Sequence, residues 1–592
     1  MSLHITTVAT TPFEGQKPGT SGLRKKTRTF MQPHYLHNFV QSVLDALSSE
    51  GIPLRGGTLV ISGDGRYFNA QAIQIIIKMA AAAGVGRVWC GTGGLLSTPA
   101  MSAVIRSRAR GLKGMAPFGG FILSASHNPG GIEEDFGIKY NCENGGPAPE
   151  KVTDLIYKNT TQIVQYKICD GIPDIDLSKE GSYSFGDSFR VEVFDCVEDH
   201  IGLLKQVFDF GAIKRLFARK DFSFCYDSMH GVQGPYAKRI FMDEFGAPAS
   251  ALMNCEPKED FGGPTSASHG HADPNLTHAV ELVARMGLNK LGLPIETKTE
   301  PPAFGAAADG DADRNMIMGS RFFVSPSDSL AMIVANAKCI PYFAGGLKGC
   351  ARSMPTSCAL DLVAKKLNIP YFEVPTGWKF FGNLMDSGTA AFPDSPVYTP
   401  FICGEESFGT GGDHVREKDG MFAVLAWLQI LAAANPDESK PLIGVADIAK
   451  AHWAEYGRNY YARYDYEGVD KAGAEKMMAA MVEAQPGLIG TTIDGMKIAK
   501  ADMFSYTDPV DGSVSKNQGV RFIFESGSRF VFRLSGTGVA GATVRMYLEA
   551  YEPPTGDLTK HAFDVVKPIA DIALKISKLA EFTGRTEPTV IT

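Results

Sequence analysis

The sequence predicts several α/β domains built on mixed sheets. Strand-like apolar runs that end in glycine-rich loops alternate along the chain with helix-like runs. At 592 residues the chain is too long for one hydrophobic core, and length alone implies about four domains. Hydrophobic residues make up 44% and charged residues 21%, an ordinary globular balance that supplies enough apolar surface for such cores.

Taken in order, residues 70–83 read as a buried helix closed by Gly84, and Phe121-Ile122-Leu123 as a short strand running into a polar loop. Residues 304–308 and Met316-Ile317-Met318 read as short apolar strands on either side of an acidic loop. At Ser325-Pro326-Ser327-Asp328 an N-cap, a proline at the first helical position and an acid two residues on predict a helix through Ala337, with a domain boundary just before it. Residues 371–374 form a strand that leads through a turn into a helix, and Phe401-Ile402-Cys403 form another strand. Residues 421–434 are the most apolar helical stretch, too short to span a bilayer and interrupted by Gln429. Residues 435–441, polar with two prolines, read as a linker, and another boundary is expected near 205–211. Residues 543–551 are strand-like.

Charge narrows the function classes. Lys plus Arg total 58 against 65 Asp plus Glu, a net charge of −7, so nothing supports nucleic-acid binding as the main task. An anionic substrate has to be held by a local positive cluster, because the global field is weakly repulsive. The ten Cys are scattered with no C-x-x-C pair, which argues against zinc ribbons and disulfide scaffolds and suits a reducing compartment. Residues 1–22 contain no apolar run of the signal-peptide kind. A cytoplasmic protein without integral membrane association is the expectation.

Four loops carry candidate chemistry. In Ser124-Ala125-Ser126-His127-Asn128-Pro129-Gly130-Gly131 a serine at a strand end, in a loop stiffened by Pro and freed by two Gly, presents its hydroxyl where His127 can exchange a proton. Neighbouring Ser and His alone more often mark a surface turn. The chain supplies its own control, since Ser266-Ala267-Ser268-His269 repeats the letters without Asn-Pro-Gly-Gly and reads as a loop. In Asp309-Gly310-Asp311-Ala312-Asp313-Arg314 alternate carboxylates aim hard oxygens at one point, as Mg²⁺ or Ca²⁺ requires. An EF-hand is excluded: counting from Asp309, its sixth position is Arg314 and not Gly, and its twelfth is Ser320 and not Glu. Close like charges repel unless a cation compensates them, which favours metal binding over an exposed acidic turn.

Gly404-Glu405-Glu406-Ser407-Phe408-Gly409 offers carboxylates and a hydroxyl suited to sugar hydroxyls, with Arg416 and Lys418 close behind. Arg533-Leu534-Ser535-Gly536-Thr537-Gly538-Val539-Ala540-Gly541, with Arg545 beyond, combines hydroxyls, free backbone N–H groups and arginines into a phosphate cradle. Gly536 to Gly541 also spells G-x-G-x-x-G, but a strand-like run follows where a dinucleotide site needs a helix, so the Rossmann reading is rejected. No Gly-Lys-Ser/Thr of an ordinary P-loop is present. Two lesser loops, Gly19-Thr20-Ser21-Gly22-Leu23-Arg24 and Pro375-Thr376-Gly377-Trp378-Lys379, add hydroxyls and positive charge.

These elements in this order resemble the α-D-phosphohexomutase superfamily, and most closely its eukaryotic phosphoglucomutase branch with the parafusin-type members. The resemblance runs over residues 19–551. It implies three related mixed-sheet α/β domains plus a C-terminal α+β domain, four domains around a central cleft with one loop from each. The domains are expected at 1–207 with a phosphoserine loop, 208–325 with a metal loop, 326–440 with a sugar-recognition loop and 441–592 with a phosphate-binding loop. By the same resemblance Ser126 matches the phosphorylated serine, and Asp309, Asp311 and Asp313 match the Mg²⁺ ligands, completed by the Ser126 phosphate. Lys139 in Phe136-Gly137-Ile138-Lys139 matches the proton-transferring lysine, acting with His127. Glu405 and Ser407 match the sugar-reading loop, and Arg533, Ser535, Gly536, Thr537 and Arg545 the distal phosphate loop. Thr20, Arg24, Arg314, Thr376, Gly377, Lys379 and Lys418 match substrate-binding cleft positions. Residues 265–271 and 287–302 depart from the family spacing and read as surface insertions.

The implied activity interconverts glucose 1-phosphate and glucose 6-phosphate through a phosphoserine enzyme, with glucose 1,6-bisphosphate as intermediate and activator and sugar phosphates as partners. Glu-Glu-Ser-Phe resembles the glucose-specific form of the sugar loop. The rivals are a related phosphopentomutase or sugar-bisphosphate synthase, and a parafusin-like signalling or exocytosis scaffold. Nothing in the sequence names a protein partner.

Overall fold

The computed structural model describes residues 3–19, 21–109, 114–535 and 541–592. Residues Thr20, Gly536 and Thr537, expected at the substrate, lie outside the described residues. The chain divides into two compact units. The first comprises Met1–Phe323, Ala337–Gly346 and Phe408–Val445, and the second Val324–Asn336, Leu347–Ser407 and Ala446–Thr592.

In the first unit a seven-stranded sheet runs in the order Leu23–Lys26, Asp135–Cys142, Pro117–Leu123, Thr58–Gly63, Arg87–Gly91, Phe189–Phe194, Gly181–Phe185. Its middle strands are parallel and its outer pairs antiparallel, the mixed sheet expected from the alternating strand and helix runs. The strand Pro117–Leu123, parallel to Thr58–Gly63 on one side and antiparallel to Asp135–Cys142 on the other, is buried throughout. The helices Tyr35–Ser49 and Asn69–Ala82 press Phe39, Val43, Ile73 and Ile77 into the same core as Leu59, Ile61 and Phe121. Gly84, at φ +83°, stops the second of these helices one residue earlier than the sequence predicts. A second sheet orders Leu252–Met253, Phe224–Asp227, Phe304–Ala308 and Asn315–Gly319. Phe304–Ala308 and Asn315–Gly319 pair antiparallel, with the acidic loop as their connection. The apolar helix Gly420–Ala434 is buried along nearly its whole length, and no helix among the described residues is long and apolar enough to cross a membrane.

In the second unit the strands Tyr371–Val374, Gly349–Ser353 and Phe401–Gly404 pair in parallel. Ser325 accepts a hydrogen bond from the Asp328 N–H and starts the helix Pro326–Ala335. That helix ends two residues short of the expected Ala337, where the Asn336 side chain donates to the Met332 carbonyl and turns the chain out. The C-terminal sheet is antiparallel, in the order Thr492–Ile493, Met496–Met503, Val520–Phe524, Arg529–Ser535, Ala542–Glu552, Arg458–Val469, Val590–Ile591. The helices Lys471–Leu488 and Ala562–Ser577 cover one face, burying Met477, Met481, Val566 and Ile569 against Phe530, Phe532, Val544 and Met546. Successive side chains alternate between faces, so Val531, Arg533, Tyr547 and Arg545 are turned to the other side.

Candidate active site

Ser126 sits immediately beyond the strand Pro117–Leu123, at φ +55°, a left-handed conformation that a residue with a β-carbon adopts at a cost. Several contacts hold it there. Ser124 Oγ accepts the Ser126 N–H at 2.7 Å. The buried Arg66 donates to the Ser126 carbonyl at 2.7 Å and to the carbonyls of Asn128 and Asp135, while Asp64 holds its guanidinium at 2.9 Å. The loop is therefore clamped from behind while its hydroxyl is left available. Ser126 Oγ lies 3.3 Å from His127 Nδ1 and donates to Asp309 Oδ2 at 3.1 Å. Gly310 permits this approach: a β-carbon there would stand 2.9 Å from the Ser126 carbonyl oxygen and 2.9 Å from the Phe261 ring.

The carboxylates of Asp309, Asp311 and Asp313 are buried, and each offers an oxygen within 4.8 Å of the others. Asp309 Oδ1 accepts the Arg314 N–H at 3.0 Å and closes its own turn. Asp311 accepts from Thr98 Oγ1 at 2.8 Å through one oxygen, while its other oxygen is buried with no hydrogen-bond partner among the described residues. Burial, with the charges of Asp311 and Asp313 beside it, pushes the Asp309 carboxyl well above the usual range. Burial also disfavours charge on Asp311, but Lys139, Lys418, the Thr98 hydroxyl and Arg24 outweigh it and hold the group at about 2. Three converging hard oxygen donors, one with an unused lone-pair face, fit a small divalent cation.

Cationic side chains surround this cluster. Lys418 Nζ is 2.9 Å from Asp313. Arg314 pairs with Asp273 at 3.1 Å and approaches Asp309 at 3.9 Å. Arg24, on the strand Leu23–Lys26 opposite Gly137, is half-buried; burial lowers its basicity, and Asp311 partly restores it. Lys139 stands opposite Ile122 on the neighbouring strand, and its ammonium is 3.6 Å from Glu417. Ser126, His127, Lys139, Arg24, Arg314, Lys418 and the three Asp thus share one neighbourhood inside the first unit. Ser268 is half-buried, its hydroxyl 3.1 Å from Ser266 Oγ in a loop whose other residues are mostly exposed.

The second unit gathers the remaining positions. The Gly377 N–H donates to Glu405 at 3.1 Å, next to the buried Thr376 hydroxyl. Glu406 accepts from Ser353 and Thr356. Lys379 lies over the Phe380 ring, and Ser407 is half-buried at the end of the loop. Arg533 and Arg545 stand directly opposite each other on paired strands, with Ser535 one step further along the same face. Asp465, paired in register with Arg545, lies 3.7 Å from it and 3.1 Å from Arg463. Arg533 stays fully charged: burial would lower its basicity, but Tyr547, Glu406 and Glu405 raise it.

The sequence reading missed Arg66, Thr98, Asp273, Glu417, Arg463 and Asp465. All but Arg463, which pairs with Asp465 two residues along its own strand, act through a contact with a residue distant in sequence or on another strand, which no local motif signals.

A cytoplasmic phosphoglucomutase of Mesembryanthemum crystallinum is 59% identical over 601 residues, covering 99% of each chain. The chain belongs to the phosphoglucomutase/phosphomannomutase family. Family models for phosphoglucomutase/phosphomannomutase match alpha/beta/alpha domain I at residues 15–167 and domain III at 326–456. The model of the Phosphoglucomutase-1 C-terminal domain matches residues 458–589. The cytoplasmic phosphoglucomutase of Solanum tuberosum is 58% identical, again over 99% of each chain. Among solved structures, the exocytosis-sensitive phosphoprotein pp63/parafusin of Paramecium, a phosphoglucomutase in its open form, matches at a TM-score of 0.88. That chain is 50% identical, with 99% of both chains covered. As a member of this family the chain is a mutase, an enzyme of the isomerase class.

Proposed function

We propose that the chain is a phosphoglucomutase that interconverts glucose 1-phosphate and glucose 6-phosphate by way of a phosphoserine at Ser126. The observation that carries the reading is the Ser126 hydroxyl held 3.1 Å from a buried carboxylate of an Asp trio inside a ring of cations. Phosphoryl transfer demands positioning and charge neutralisation more than covalent invention. The cycle begins with the phosphoryl group on Ser126 Oγ. A hydroxyl of the sugar phosphate attacks the phosphorus, and its proton passes to an unprotonated His127 nitrogen or to Lys139 in its uncharged amine form. The Oγ–P bond breaks to leave the Ser126 alkoxide, and glucose 1,6-bisphosphate results. The bisphosphate turns over, Ser126 takes the other phosphoryl group, and the proton returns to the product.

Arg24, Arg314 and Lys418 offset the negative charge that the phosphoryl group brings beside three carboxylates. Asp309, Asp311 and Asp313, with the Ser126 phosphate, would hold Mg²⁺. When bound, that ion would neutralise and polarise the transferring phosphoryl oxygens. Glu405 and Ser407 read the sugar hydroxyls with Thr376, Gly377 and Lys379, while Arg533, Ser535 and Arg545 bind the phosphate that stays on the sugar. Gly536, Thr537 and Thr20 belong to the same assignment. The domain limits 1–207, 208–325, 326–440 and 441–592 follow from one such loop per domain. A cytoplasmic location accords with the naming of the relatives.

The test is a mutase assay on the purified chain with Mg²⁺ and a trace of glucose 1,6-bisphosphate. Glucose 1-phosphate should be turned over far faster than mannose 1-phosphate or ribose 1-phosphate. Excess chelator should abolish the activity, and added Mg²⁺ should restore it. Full turnover in chelator would sink the metal assignment, and a preference for the pentose phosphate would make the enzyme a phosphopentomutase.

A further inference from the structure

Lys139 belongs to the same neighbourhood of the first unit as the acidic trio, and its ammonium is paired with a further buried carboxylate. That group is Glu417, whose Oε1 lies 3.6 Å from Lys139 Nζ with side-chain exposures of 3% and 11%. Glu417 is not adrift: the Asn141 amide donates to the same Oε1 at 2.8 Å and to the Gly145 carbonyl at 3.0 Å. Lys139 and Asn141 are alternate residues of one strand and so present the same face to Glu417.

The segment that carries Glu417 is itself pinned. The Arg416 N–H donates to Ser102 Oγ, and Arg416 Nη1 to the Asp413 carbonyl. Asp419 caps the helix Gly420–Ala434 by accepting the Phe422 N–H at 3.0 Å, and its other oxygen takes the buried His200 and His414 rings at 2.7 and 2.9 Å. The Gly420 N–H donates to the Ala312 carbonyl, and a β-carbon on Gly420 would strike the Arg314 carbonyl oxygen, so the segment is seated directly on the acidic loop. A buried glutamate on so fixed a segment is an expensive way to fill space, since a charge removed from water must be matched by specific partners.

We infer that Glu417 is a positioning residue for the phosphoryl-transfer step: it holds the Lys139 amino group away from the acidic trio, at the point from which, as ammonium, it gives its proton to the sugar oxygen released from phosphorus. Without the Glu417 carboxylate the ammonium loses this ion-pair partner and is free to lean toward the negative charge of the acidic trio. The inference rests on the proton role given to Lys139 above, so the two are tested together. E417Q keeps the acceptor for Asn141 and removes only the charge. Its kcat should fall about tenfold to a hundredfold with KM changed by less than about threefold, the cost of a misplaced but intact group. E417D should regain part of the loss. In a K139M background, where there is no ammonium to place, E417Q should change the residual kcat by less than about twofold. Equal fold losses in both backgrounds, or a lowered melting midpoint with kcat retained, would overturn the inference and leave Glu417 a structural residue. Wild-type kcat in K139M would overturn the proton role of Lys139 and this inference with it. An impaired K139M beside an unimpaired E417Q would overturn the Glu417 inference alone.

Discussion

Ser126 and Ser268 stand in the same four-residue sequence, and their surroundings separate them. Ser126 is buried and left-handed, with Arg66 behind its carbonyl and Asp309 on its hydroxyl. Ser268 is half-buried and hydrogen-bonded to Ser266, with no carboxylate of the acidic trio among its partners in the described residues. After incubation with glucose 1,6-bisphosphate, mass spectrometry should therefore find phosphate on Ser126 and none on Ser268. Ser126→Ala should lose essentially all turnover while Ser268→Ala keeps it, because only Ser126 is placed to carry the group; the reverse pattern would refute the assignment. The sequence displayed Ser126 and the three Asp because a loop that aims several groups at one point keeps them adjacent in the chain. It could not display Arg66, whose partners Ser126 and Asp135 lie 60 and 69 residues away. Nor could it display Glu417, which meets Asn141 across 276 residues. Clamps and positioning groups of this kind become visible only when the strands are assembled.

At the scale of elements, the strand Arg529–Ser535 shows how one alternation serves two ends. Phe530 and Phe532 feed the helix-covered core, and the intervening Arg533 faces the other way beside Arg545 of the paired strand. The arginine pair is thus fixed by the sheet, whatever loop joins the strands. Arg–phosphate contacts are worth roughly 1.5–3 kcal/mol each, so Arg533→Ala should weaken glucose 1-phosphate binding about tenfold to a hundredfold. Unphosphorylated glucose as phosphoryl acceptor should be hardly affected, and equal losses for both acceptors would mean that Arg533 does not hold phosphate.

A second set of charges ties the strand Tyr371–Val374 to the C-terminal sheet. Glu373 lies 3.0 Å from Arg352, 2.6 Å from Arg521 and 3.4 Å from Arg529. Burial alone would raise the Glu373 carboxyl, but Arg352, Arg529 and Arg521 outweigh it and hold the group at about 2, against an ordinary 4.5. A depressed carboxyl contributes stability that is complete above pH 4.5 and is lost as pH falls toward 2. The shift corresponds to roughly 3 kcal/mol. Glu373→Gln should cost about that much at pH 7 and flatten the acid loss of stability between pH 4.5 and 2, as urea melts would measure. An unchanged acid slope would remove Glu373 from the account. The elements themselves were legible wherever period and punctuation agreed, as at Ser325-Pro326 and at the strand 371–374. Their ends were not, because Asn336 and Gly84 stop helices through backbone contacts and φ values that composition only hints at.

For the whole molecule, the division into two compact units assigns the chemistry unequally. Every group of the phosphoserine neighbourhood, from Arg24 to Lys418, falls in the first unit, and the Arg533 and Glu405 groups fall in the second. A ligand taken up by one set should therefore leave its trace in that unit first. A cation bound at 100 times its dissociation constant adds about 2.7 kcal/mol to the state that binds it. Amides whose exchange requires opening of that region slow accordingly, by about a hundredfold. With Mg²⁺ the slowing should concentrate on the strands Phe304–Ala308, Asn315–Gly319 and Pro117–Leu123, which carry the Asp and Ser126 loops. With inorganic phosphate in place of the cation, it should concentrate on Arg529–Ser535, Ala542–Glu552 and Arg458–Val469, the strands that bring Arg533, Arg545 and Arg463 together. Hydrogen exchange read by mass spectrometry separates the two patterns and needs no turnover. If Mg²⁺ instead slowed the C-terminal strands and left the Asp loop unchanged, the acidic trio would not be the cation site, however well its oxygens converge.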